Sequence, residues 1–118
     1  MAEELKVTVK KGDGHTVVYT DGYINDQQGE KVVEVCAGLM EEGYRHFILN
    51  LEKSHVISSI GIAILMEVIE RAGEMEGSVS FCDLTPTIAK TFEIMRLTDM
   101  SEIYGDEDAA IGALASQS

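Results

Sequence analysis

The run Phe47-Ile48-Leu49-Asn50-Leu51 constrains this chain more than any other feature. It is apolar at consecutive positions, whereas a strand wet on one side alternates. Consecutive apolar residues mark a strand covered on both faces, as in the parallel sheets of α/β proteins. A loop over 52–58 follows, then a helix from about Ser59 to Glu74. Its inner positions include Ile60, Ile64, Leu65, Val68, Ile69 and Ala72, and Glu67, Glu70, Arg71 and Glu74 form its wet stripe. A buried strand joined to a second strand through a helix must pair with it in parallel.

The flanking segments extend the pattern. Leu5-Lys6-Val7-Thr8-Val9 alternates like a half-buried strand. Gly12-Asp13-Gly14-His15 is a hairpin turn, and Thr16 to Thr20 returns as a second strand. Asp21-Gly22 breaks it, and Asn25 or Asp26 can cap the next helix. That helix turns Val32, Val35, Cys36, Leu39 and Met40 inward and stops at Gly43. Ser78 to Cys82 is a fourth strand. Thr85-Pro86 is a cap followed by proline at the first helical position, opening a helix with Ile88, Phe92 and Met95 inward. Glu102-Ile103-Tyr104 is a short last strand. Asp106-Glu107-Asp108 starts a final helix running through Leu114, with a fraying tail after it. The expected fold is α/β: one mixed sheet of four or five strands, the strand at 46–51 central, packed with about four helices. Residues 1–118 read as a single domain with an ordered core over about 5–114.

Composition narrows the function. The net charge of −12 opposes binding to nucleic acid or an anionic membrane, which need clustered Lys and Arg, and permits a basic protein partner. No run of about 18 apolar residues could span a membrane. The acidic start Met1-Ala2-Glu3-Glu4-Leu5 lacks a secretion pattern, so a cytoplasmic location is expected. Cys36 and Cys82 sit among apolar residues as buried free thiols. His15, His46 and His55 lack metal-ligand spacing, and no phosphate-binding loop, dinucleotide fingerprint or Gly-x-Ser-x-Gly is present. No metal, cofactor or catalytic residue is expected. An enzyme using the serine pair Ser58-Ser59 would lack a base, since His55 lies on a loop with no recognisable partner acid.

Val56-Ile57-Ser58-Ser59-Ile60-Gly61-Ile62-Ala63, placed directly after that strand, resembles the signature of the STAS family, the domain of sulphate transporters and anti-sigma-factor antagonists. The segment Phe81-Cys82-Asp83-Leu84-Thr85-Pro86 and the ending Leu97-Thr98-Asp99-Met100…Ile103-Tyr104 are similar to family patterns too, with Arg96 where a Gly often stands. The resemblance implies a protein-binding module without catalytic activity, docking an anti-sigma factor or serine-kinase-like protein in a partner-switching pathway. The implied surface is Asn25, Ser58, Ser59, Ile60, Gly61 and Ile62. The alternative is an accessory or scaffold subunit, associated with a transporter or a larger STAS assembly, acting through protein or small-ligand binding. The oligomeric state expected is a monomer or weak dimer.

The family's helix opens Asp-Ser-Ser-Gly-Leu-Gly, and its second serine is phosphorylated. Without gaps, Ser58 takes the place of the Asp, Ser59 that of the first serine, and Ile60 that of the phosphoacceptor. Asn25 replaces an acid that the family often carries after its second strand. The phosphosite is therefore expected to be lost, although a shift of one residue would make Ser59 the acceptor. Ser58 and Ser59 also read as plain helix caps. Ile60 is either core or the apolar centre of the partner surface. A side chain at Gly61 would meet the neighbouring loop or a docked partner, so Gly61→Asp is expected to weaken binding more than folding.

Overall fold

The order of elements follows the alternation of the two hydrophobic periods. In the computed structural model, which describes residues 4–116, β1 (Lys6–Lys11) and β2 (Thr16–Asp21) form a hairpin. They are followed by α1 (Glu30–Glu41), β3 (His46–Lys53), α2 (Ser59–Glu74), β4 (Ser78–Cys82) and α3 (Pro86–Ile94). A 3₁₀ turn (Leu97–Asp99), β5 (Glu102–Tyr104) and α4 (Glu107–Ala115) complete the chain. The expectations for residues 1–3 and for the end of the tail, 117–118, lie outside the described residues. The five strands form one sheet in the order β1-β2-β3-β4-β5, with β1 antiparallel and the rest parallel. β3 is central, as its consecutive apolar residues require.

Alternation along β3 divides the core. Phe47, Leu49 and Leu51 point to one face with Val18 and Phe81, beneath α1, α2 and α3. Ile48 points to the other, with Val17, Cys82 and Ala110 of α4. On the larger face Phe81 meets Phe92 edge to face, ring centroids 4.9 Å apart, a favoured aromatic geometry. α1 buries Val32, Val33, Cys36 and Leu39 and ends as expected, with Gly43 at φ 105°, a left-handed conformation that glycine adopts without a Cβ clash. Burial pushes the Cys36 thiol up to about 12 and, with the neighbouring Asp83, also raises Cys82. Both are free and buried, and such thiols are unreactive at neutral pH.

Three local expectations change. β1 is mostly exposed, because it is an edge strand and its first buried residue, Leu5, precedes it. Met95 is 39% exposed, and the buried residue at the end of α3 is Leu97. The chain breaks at Arg96, which takes φ 63° and so rotates the following side chain inward. Asn25 does not cap α1. Its Oδ1 accepts from the Gln28 N–H at 2.7 Å and closes a separate turn, while α1 begins after Gly29 with no side-chain cap.

Candidate functional site

Two loops leave the sheet at the carboxyl ends of β2 and β3 and remain paired. The Gly22 N–H donates to the Lys53 carbonyl (3.1 Å), Ile24 N–H to Val56 (3.1 Å) and Ser58 N–H to Ile24 (3.0 Å). These bonds make a parallel bridge between Ile24 and Ile57. Below it, the buried hydroxyls of Thr20 and Ser54 meet at 2.7 Å, so two polar side chains inside the core satisfy one another. Ile24 is fully buried and pins the ribbon to the core.

α2 starts on this ribbon. Ser58 has extended backbone, and its Oγ accepts from the Gly61 N–H at 2.9 Å. This is the geometry of an N-cap, worth about 1 kcal/mol. Ser59 is the exposed first helical residue. Gly61 is buried, and a Cβ there would lie 2.3 Å from the Ile24 carbonyl oxygen and 2.8 Å from Ile57 Cγ1. The absence of a side chain at Gly61 lets the helix sit on the ribbon. The first obstacle to a larger residue is thus the protein's own loop, so Gly61→Asp is expected to act on folding as well as on any docking.

The expected surface residues separate into two layers. Asn25 and Ser58 follow the bridged pair directly, one on each strand, and are half-buried. Ser59 and Ile60 face solvent. Ile62 is 1% exposed and belongs to the core, as does Gly61, so both support the surface from beneath. Ile60 is 54% exposed, so it is not part of the core. Two further apolar residues join it at this end of the sheet: Val56, 53% exposed, and Tyr23, 43% exposed. Tyr23 had a sequence signal as a flanking aromatic. Val56 had a weaker one, an apolar residue inside a loop.

Other charged groups serve structure. On the smaller face Asn50 donates to Asp83 (3.1 Å) and Glu107 (3.3 Å), and Glu107 pairs with Lys10. Burial acts to raise the Glu107 carboxyl, but hydrogen bonds from Lys10, Tyr19 and Asn50, with the Lys10 charge, hold it below the usual carboxylate range. At the opposite end of the molecule His15 and His46 line a shallow depression, and His46 Nδ1 lies 2.9 Å from Ser78 Oγ. Among the described residues no group of three or more His, Cys, Asp or Glu could hold a metal ion, and no helix is long and apolar enough to cross a membrane.

This fold has counterparts. The STAS domain model matches residues 6–110. The chain belongs to the STAS family. The STAS chain is 26% identical over 109 residues to a Bordetella bronchiseptica protein named as the anti-sigma factor antagonist BtrV, covering 92% of this chain and 94% of the relative. An anti-sigma factor antagonist from Mycobacterium paratuberculosis superposes with a TM-score of 0.83 at 19% identity, covering 93% of each chain. The Bacillus cell fate determinant SpoIIAA in its phosphorylated form superposes at 0.72 with 16% identity, covering 92% of this STAS chain and 99% of SpoIIAA. The expected fold class, with five strands and four helices, is therefore the fold of the family.

Proposed function

We propose that this STAS domain is an anti-sigma-factor antagonist-like binding module that docks a kinase-like anti-sigma factor through the paired loops and the start of α2, and that it lacks the phosphorylation switch. One observation supports the reading: Ile60, which the ungapped resemblance puts at the family's phosphoacceptor position, is 54% exposed on the first helical turn. Isoleucine has no hydroxyl to accept phosphate. Exposed at the same end of the sheet as Val56 and Tyr23, it offers apolar area, the kind of central contact that carries binding energy in protein interfaces. The net charge of −12 favours a partner with a basic surface. The module itself performs no chemistry in this reading. Ser58 is occupied as a cap, which leaves Ser59 as the hydroxyl available to a kinase that reads one residue earlier.

The test is a binding titration against the anti-sigma factor of the same cell, with and without prior incubation with ATP, beside intact-mass measurement. The affinity and mass of the wild type should be unchanged by ATP. Ile60→Asp places a charge in the apolar contact and should weaken binding by about tenfold or more with little change in melting temperature. Stoichiometric phosphate on Ser59, abolished by Ser59→Ala, would falsify the loss of the switch. An unaltered affinity in Ile60→Asp would remove the site.

A further inference from the structure

α4 covers only part of its face of the sheet. Beyond it, at the carboxyl ends of β2 and β3, lies an open groove of about 220 Å³. Lys6 and Thr8 of β1, Tyr19 and Asp21 of β2, and Glu52 and Lys53 of β3 line it. Its floor is rigid: Asn50 is buried and held by Asp83, Glu107 and the Glu52 N–H.

The charges above that floor are uncommitted. Asp21 is the register partner of Lys6 on one side and of Lys53 on the other. Side chains of such partners are near enough to pair. Yet none of Lys6, Asp21, Glu52 and Lys53 is in an ion pair among the described residues. Two lysines and two acidic residues therefore line one open groove beside the half-buried Tyr19. An anion entering it would meet Asp21 and Glu52, and a cation would meet Lys6 and Lys53. A molecule carrying both charges a few ångströms apart can satisfy both sets.

We infer that this groove is a binding site for a small zwitterion of the α-amino-acid type, its carboxylate held by Lys6 and Lys53 and its ammonium by Asp21 and Glu52. Glu52 and Lys53 lie at the base of the paired loops, but no residue of the α2 N-terminus lines the groove, and the inference rests on the groove's charges rather than on the docking reading.

Amide chemical-shift titration of the full chain tests it, with L-glutamine and glycine as zwitterions and acetate and methylammonium as singly charged controls. Saturable shifts are expected at Thr8, Tyr19, Glu52 and Lys53 with both amino acids, and weak, unsaturated shifts with the controls. Lys53→Met and Asp21→Asn, both on the surface, should each weaken L-glutamine binding by about threefold to fivefold, the size of one exposed ion pair. Failure of either amino acid to saturate these amides overturns the proposal. So does acetate or methylammonium saturating them as strongly, or affinity unchanged in both variants.

Discussion

The two faces of the sheet are sealed in different ways. One lies under α1, α2 and α3, where Phe47, Leu49, Leu65, Phe81 and Phe92 interlock with no polar partner to satisfy. The other is held by α4 alone, through a small apolar cluster and the linked side chains of Lys10, Tyr19, Asn50, Asp83 and Glu107. The first face draws its stability from area removed from water, about 1.5–3 kcal/mol for each large side chain. The second depends on geometry, since a hydrogen bond contributes about 1 kcal/mol only while both partners are in place. The larger face should therefore respond to changes of volume and the smaller to changes of charge.

Truncating the larger face sets the scale. Phe92→Ala should lower the free energy of unfolding by about 3–5 kcal/mol, measured by denaturant titration, whereas Ile111→Ala on α4 should cost about 1–2 kcal/mol because that residue is only half-buried. Equal losses would erase the contrast between the faces. Gly61→Asp comes next, at about 3 kcal/mol, from a carboxylate forced against the Ile24 carbonyl. Gly61→Ala should fall between it and the wild type. A Gly61→Asp protein that melts normally but binds poorly would restore the expectation that this substitution weakens binding more than folding.

Acid distinguishes the faces more finely. Because the Glu107 carboxyl is held below its ordinary value of 4.5, its stabilising contribution is complete above that value and is lost as pH falls through the lower folded value. The melting temperature of the wild type should exceed that of Glu107→Gln at neutral pH, and the gap should close on acidification below 4.5. A gap that is independent of pH would show that the carboxylate charge is immaterial. The smallest effect belongs to the turn after α3. Arg96 holds φ 63°, a conformation that costs a residue with a Cβ about 1 kcal/mol, and its bond to Asp99 is exposed. Arg96→Gly should stabilise the protein by about 0.5–1 kcal/mol, and a loss of stability instead would give that ion pair unexpected weight.

What could be read from the chain follows the same division. The consecutive apolar residues of β3 and the 3.6-residue period of α2 announced a central covered strand and its helix, because each states burial in one dimension. Thr85-Pro86 and Asp106 announced helix starts, because capping is local; both side chains accept from the N–H three residues on. Met95 was misplaced because the helical period was carried to the end of α3, whereas the backbone turns at Arg96 and Leu97 is the residue buried there. The linked side chains of Lys10, Asn50 and Glu107 left no trace, since their partners are 57 to 97 residues apart and none belongs to a repeating pattern. At the candidate site, the caps and Gly61 were legible as a frame. The exposure of Ile60, Val56 and Tyr23 at one end of the sheet depends on how two loops pair, which no single segment encodes.

β1 carries a last consequence. The sheet has two open edges, and β5 at one of them is only three residues long. β1 at the other is the longer edge, and it places Lys6, Lys10 and Lys11 along six residues. A second copy approaching edge to edge would bring lysine against lysine before any backbone hydrogen bond could form, and such charge is a known guard against sheets that keep growing. In a chain so rich in acid, half of β1 is spent on cations, which would let the protein stay in solution at high concentration without adding a sixth strand from its neighbour.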